Sequence, residues 1–166
     1  MKKFELISEF VTNVFGKKLF RIKALVSFGD VSAGELGGFV EKEENLSNNG
    51  NAWVSGNARV SGDARVSGDA LVSGNARVSG NAQVSGDADF SVVTGFGRCF
   101  RATTFFRCKD KILRVQCGCF YGDLAKFREI VKKTHGDSKY AKEYLAIADL
   151  MELHFSDEEE NQEADK

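Results

Sequence analysis

Asn51-Ala-Trp-Val-Ser-Gly-Asn-Ala-Arg-Val-Ser-Gly-Asp-Ala-Arg-Val-Ser-Gly68 opens a run, continued to Phe90, in which a six-residue phrase, Asn/Asp-Ala-x-Val-Ser-Gly, recurs almost without error. A strict period of six gives each phrase one short strand and one corner, and three phrases close one triangular coil of a parallel β-helix. Val54, Val60, Val66, Val72, Val78 and Val84 keep this spacing, with Phe90 closing the series, and Ala52, Ala58, Ala64, Ala70, Ala76, Ala82 and Ala88 run beside them. Residues two apart on a strand share a face. Valine and alanine are the only apolar residues of the phrase, so their face is the interior. Gly-Asn and Gly-Asp pairs, from Gly50-Asn51 to Gly86-Asp87, supply the corners, because both residue types tolerate the positive φ of a sharp turn. With an irregular coil before the hexads, about three to four coils are expected, a prism ~15–20 Å tall at the inter-strand spacing. So short a prism has a thin core and two open ends that need caps.

The flanks read as those caps. Residues 3–26 suggest a β-hairpin turning at Gly16-Lys17-Lys18, and Phe28 to Val40 an irregular first coil. After the repeat, Thr103–Cys108 and Lys111–Cys117 flank Lys109-Asp110 as a second hairpin. Asp123 then caps a helix with Leu124, Phe127, Ile130 and Val131 on one face, ended by Gly136. A second helix follows Asp137 or Ser138. Its stripe is Tyr140, Tyr144, Ile147, Ala148, Met151 and Phe155, and the off-stripe Leu145, Leu150 and Leu153 predict contact with more than one surface. The organisation expected is 1–49 hairpin and first coil, 50–91 hexad β-helix, 92–155 hairpin and two-helix module, and 156–166 an acidic disordered tail.

Gly34-Glu-Leu-Gly-Gly-Phe-Val-Glu-Lys-Glu-Glu-Asn-Leu-Ser47, followed by Gly-Asn-Ala-Trp-Val and the hexads, resembles a group of bacterial and phage hexapeptide-repeat proteins. Cys117-Gly-Cys-Phe-Tyr-Gly-Asp-Leu through Leu145 resembles a C-terminal module of small phage proteins. The resemblance implies a left-handed β-helix behind an N-terminal hairpin, and it implies no reaction. The fold class expected is therefore mainly β: a short left-handed parallel β-helix with an N-terminal hairpin cap and a C-terminal hairpin plus two-helix module. A homotrimer is expected, since it would bury a further face of so thin a prism.

Composition removes several classes. Net charge is −1, so no global field draws the chain to duplex nucleic acid or a membrane. No apolar run approaches a membrane span and no signal peptide is evident, which with four cysteines read as reduced thiols suggests a cytoplasmic protein, in the host cell if phage-encoded. Hexapeptide acyltransferases place a histidine base near a coil corner, and the hexads contain none; His135 and His154 both fall at helix ends. A non-catalytic protein without cofactor is expected, with a CoA-dependent acyltransferase as an alternative. Cys99, Cys108, Cys117 and Cys119 lack zinc-knuckle spacing, so no metal is assigned. Corner aspartates stacking at eighteen residues, Asp69 with Asp87 and Asp63 with Asn81, read as solvated. The same stacking sets Arg59 under Arg77 and Arg65 under Gln83. The column Trp53, Leu71, Asp89 is the least polar, hence the guess for a subunit contact.

Charge segregation carries the functional expectation. Between Arg98 and Lys133 basic residues outnumber acidic ones and interleave with aromatics. Arginine forks hold phosphate and rings stack bases, so Arg98, Arg101, Arg107, Lys109, Arg114, Phe100, Phe105 and Tyr121 are the candidate ligand residues, with Gly95, Gly97 and Gly118 letting backbone approach an anion. The expected partner is a small nucleotide-like ligand, a host immune signal that a counter-defence protein would sequester. The alternative partner is a host defence enzyme, inhibited by direct docking.

Overall fold

A computed structural model describes residues 2–13, 15–86 and 89–156. The hexads form a parallel β-solenoid. Its two-residue strands are β4 (Trp53–Val54), β5 (Arg59–Val60), β6 (Arg65–Val66), β7 (Leu71–Val72), β8 (Arg77–Val78) and β9 (Gln83–Val84). β4 lies on β7, β5 on β8 and β6 on β9, each in parallel register. The described hexad alanines and valines are at most 1% exposed and fill the prism, as the shared-face argument requires. At each regular corner the alanine N–H donates to the serine carbonyl three residues back, as in Ala58 to Ser55 (3.2 Å). Only the glycine there has positive φ, between 61° and 72° from Gly50 to Gly80; the Asn or Asp beside it does not. Glycine alone carries the corner, and the polar residue is there for solvation. Ala88, Asp87 and the acidic tail from Asp157 lie outside the described residues.

The N-terminal end is closed by strand pairing. β1 (Phe4–Thr12) and β2 (Lys18–Ala24) make the expected hairpin, but its turn is closed by Asn13 N–H donating to Lys17 O (2.9 Å) and Lys18 is already strand. Asn13 Oδ1 holds that turn by accepting from the Phe15 and Lys17 N–H groups, both at 2.9 Å. β2 pairs antiparallel with β3 (Leu36–Val40), and β3 pairs parallel with β5. The hairpin thus extends one solenoid wall into a five-stranded sheet, β1-β2-β3-β5-β8. A short 3₁₀ turn, Glu43–Asn45, and the Leu46–Val66 bridge complete the first coil. Nearly three coils result. Trp53 is 1% exposed, edge-on to Phe28 at 5.4 Å, so the chain's own N-terminal segment covers that member of the column expected to meet another subunit, while Leu71 of the same column is 48% exposed.

The other end is closed by a sheet. Asp89 Oδ2 accepts from Ser85 N, Ser85 Oγ and Gly86 N, and the chain leaves the solenoid there. Phe90 packs against the solenoid core at the end of the hexad series and also opens β10 (Phe90–Val93), the first strand of an antiparallel sheet with β11 (Thr103–Arg107), β12 (Leu113–Cys117) and β13 (Phe120–Asp123). The sequence reading saw only β11 and β12. β11 is buried on both faces, so its alternation divides two cores. Phe106 packs with Cys108 on the last coil, while Phe105 and Val115 face the helices. Arg77 N donates to Thr104 Oγ1 (3.0 Å) and Lys109 N to Asn81 O (2.9 Å), fixing sheet to coil.

α1 (Leu124–His135) starts where Asp123 Oδ1 accepts from Lys126 N (2.8 Å) and ends at Gly136, φ +57. α2 (Lys139–His154) is capped by Ser138. Phe127 and Val131 of α1 meet Tyr144, Ile147, Ala148 and Met151 of α2 over the sheet. Ile130 is exposed rather than packed, correcting the face assigned to α1; of the off-stripe leucines of α2, Leu145 packs against the helix–sheet core, while Leu150 and Leu153 are exposed. No described helix is long and apolar enough to cross a membrane.

The Gly-Gly of the lead-in is explained by space. A Cβ on Gly38 would stand 2.6 Å from the Ala58 carbonyl oxygen and 2.8 Å from Val54 Cγ1; one on Gly37 would meet the Val54 carbonyl at 2.5 Å. Neither has a positive φ, so close approach to the next coil is the constraint. Gly38→Ala is expected to cost about 1–3 kcal/mol, read in urea unfolding through the emission of the single, buried Trp53. An unchanged midpoint would show that the first coil does not pack this tightly.

Candidate functional site

Strand register sets a row of side chains across one solenoid wall. Arg21 of β2 pairs with Phe39 of β3, Phe39 with Arg59 of β5, and Arg59 with Arg77 of β8. Paired residues on neighbouring strands share a face about 4.8 Å apart, so Arg21, Phe39, Arg59 and Arg77 line up across the sheet. The Arg21 guanidinium lies 4.4 Å from the Phe39 ring centroid, pairs with Glu9 (2.7 Å) and donates to Gly37 O (2.8 Å). Arg21 is thereby neutralised and fixed.

Arg59 and Arg77 are not. The segment between β10 and β11 brings Arg101 to the same place, and a cavity of about 690 Å³ opens over Arg21, Arg59, Arg77 and Arg101, with Phe100 and Gly118 on its rim. Among the described residues no carboxylate pairs with Arg59, Arg77 or Arg101. Burial, then Arg59 and Arg101, push the Arg77 pKa down. A hydrogen bond to Cys99 raises that of Arg101. Like charges about 5 Å apart repel by roughly 1–3 kcal/mol between the dielectric of water and that of a protein surface. That exceeds what a typical surface ion pair returns. Phe100 adds a second local cost: its φ is +52° and its ring is 66% exposed. A bulky residue held left-handed and left in water is a feature to be accounted for by what it faces, here the arginine cavity.

The eight residues expected from sequence are not brought together. Arg101 and Phe100 share the arginine cavity. Tyr121 lines an adjoining one and Arg98 a third, beside Cys117 and His135. Phe105 is fully buried and cannot stack a ligand. Arg114 is committed to Asp110 by two hydrogen bonds of 2.8 Å, and Asp110 is held down to about 2 in consequence. Arg107 pairs with Asp89 (3.5 Å) over the Phe155 ring, and Lys109 sits on the loop bound to Asn81. Of the glycines, Gly97 lies against the Tyr144 ring and gives its N–H to Glu143 (2.9 Å), while Gly118 makes room for the Arg101 guanidinium. Cys99 and Cys119 are exposed, and no three metal-ligating residues cluster among the described residues. Sequence reasoning stacked Arg59 on Arg77 without assigning them a role, and it passed over Arg21. The eighteen-residue offset was the available signal for the pair. The register of β2 against β3 had none.

The repeat region matches the YdcK beta solenoid repeat family in four overlapping units, residues 52–68, 58–74, 64–80 and 70–86. No curated protein shows significant similarity to the chain.

Two outcomes test this electrostatic description. Arg77→Gln removes an uncompensated charge, so it is expected to raise Tm by about 2–4 °C at low salt, with the gain shrinking at high salt; a fall in Tm would mean that the row is internally compensated. Tyr144 is pushed up to about 12, first by burial. Its folded pKa then exceeds its unfolded value, so the folded form keeps a proton that the unfolded chain releases. Stability should therefore fall as pH rises from about 10 to 12, and Tyr144→Phe should flatten that slope in alkaline urea titrations.

Proposed function

We propose that this is a non-catalytic binding protein that holds a phosphate-bearing, nucleotide-like anion in the groove over Arg59, Arg77 and Arg101. The observation that carries the reading is the convergence of three arginines, none paired with a carboxylate among the described residues, on one cavity. Arginine forks bind phosphate oxygens bidentately, and a phosphate would relieve the repulsion within the row. Phe100 at the rim offers a ring to stack on a planar group. The groove also draws on all three parts of the chain: β1 and β2 form one wall, the solenoid the floor, and the segment before β11 the other wall.

In this reading the coils wind left-handed, as the hexad pattern suggests, and the protein works as a homotrimer. The biological role proposed is sequestration of an anionic host defence signal by a phage-type protein; the Gly34–Ser47 lead-in supports that setting. A second reading, docking on a host defence enzyme, is favoured by one observation: Leu150 and Leu153 are 56% and 72% exposed on α2.

Calorimetry with cyclic oligonucleotides, ADP-ribose and inorganic pyrophosphate tests the first reading. Arg77→Gln should weaken binding about tenfold or more, the worth of a lost charge-assisted contact, and Arg114→Gln, whose guanidinium serves Asp110, should leave it unchanged. Absence of binding to every one of these anions would sink the proposal. Capture of a protein partner lost in Leu153→Glu would favour the second reading.

A further inference from the structure

Arg59 and Arg77 have a second side. A separate cavity of about 330 Å³ is lined by the same two arginines and lies between the β1–β2 hairpin tip and the β12–β13 end of the C-terminal sheet. Its character differs from that of the arginine groove. Phe15 at the hairpin tip is 68% exposed, and Phe120 and Tyr121 come from the opposite wall. Tyr121 is a fixed platform: its ring packs near Phe106 at 6.2 Å, and its hydroxyl end rests where a Cβ on Gly80 would have to be. Polar groups share the lining with the rings. Ser79 Oγ donates to Gln116 Oε1, which leaves the two amide N–H donors of Gln116 for another acceptor. Rings with hydrogen-bonding groups beside them fit a flat heteroaromatic ring better than an aliphatic chain, which would meet those polar groups unpaired.

We infer that this cavity is the base subsite of a nucleoside phosphate whose phosphates lie in the arginine groove, with Arg59 and Arg77 between the two parts. The inference rests on the anion reading of that groove and adds the ring-binding half. Phe15 and Tyr121 flank the base, and Gln116 reads a ring nitrogen or carbonyl at its edge. The ligand is then one that carries a planar base and phosphate within one span of the arginine pair.

Calorimetry of the full chain with inorganic pyrophosphate, the four ribonucleoside diphosphates and decyl diphosphate separates the two halves. At least one nucleoside diphosphate is expected to bind tenfold or more tighter than pyrophosphate. Phe15→Ala, at an exposed tip where folding is not at stake, and Tyr121→Ala should remove that gain and leave pyrophosphate affinity as it was; buried-Trp53 emission checks that each variant is folded. Equal affinity for pyrophosphate and every nucleoside diphosphate would overturn the base subsite while the anion groove stands. Tighter binding of decyl diphosphate than of any nucleotide would overturn it in favour of an aliphatic tail. Failure of pyrophosphate and nucleotides alike would overturn the underlying anion reading itself.

Discussion

A solenoid of fewer than three full coils has nearly as much end as wall, and the rest of this structure follows from the need to cover both ends. Stacked two-residue strands leave backbone donors and acceptors and an apolar shaft open at each face. The N-terminal solution is lateral. β2 and β3 continue one wall as sheet, while Leu46, Trp53 and Phe4 close the shaft. Lys3 completes the seal: it is buried, and its Nζ donates to the Ala52 carbonyl (2.6 Å) below the Phe28 ring. The C-terminal solution is a second sheet laid across the last coil, with Phe106 as the plug. Both caps stand beside the same wall, and the space between them is the groove.

The arginine row belongs to that wall because every hexad has one free position, the x of the phrase. Valine and alanine are fixed by the shaft, glycine by the corner. The x residue faces outward, and on this wall it is Arg59, then Arg77. Repetition stacks like charge on like charge, a local conflict that a folding argument alone does not resolve. The neighbouring arginines show the contrast: Arg21 has Glu9, Arg114 has Asp110, and Arg128 has Asp149 and Glu152, each within 2.9 Å. Within the cavity itself Glu9 neutralises Arg21, whereas no described carboxylate pairs with Arg59, Arg77 or Arg101.

How much was legible in the sequence divides along the same line. The hexads gave coil, interior and eighteen-residue stacking, because a period constrains every copy at once. Asp123, Ser138 and Gly136 marked helix ends through local hydrogen bonding and φ, which are properties of a few adjacent residues. β10 and β13 escaped because four-residue strands such as Phe90–Val93 carry too few side chains to show alternation. Charge counting pointed to the C-terminal module, but it could not separate Arg101, which faces the cavity, from Arg114, which is spent four residues away. The site is made by register between β2, β3 and β5, a long-range relation to which no local pattern corresponds. Phe105 shows the same limit: its neighbour Phe106 has the same composition around it and serves a different core.

The central claim is that Arg59, Arg77 and Arg101 form one anion site while the paired arginines do not. Arginine side-chain NMR with inorganic pyrophosphate tests it most directly, since the Nε–H signal of each guanidinium reports its own environment. The account predicts saturable shifts confined to Arg59, Arg77 and Arg101, with Arg114 and Arg128 unmoved. Shifts spread evenly over all arginines, or none at the solenoid row, would contradict it.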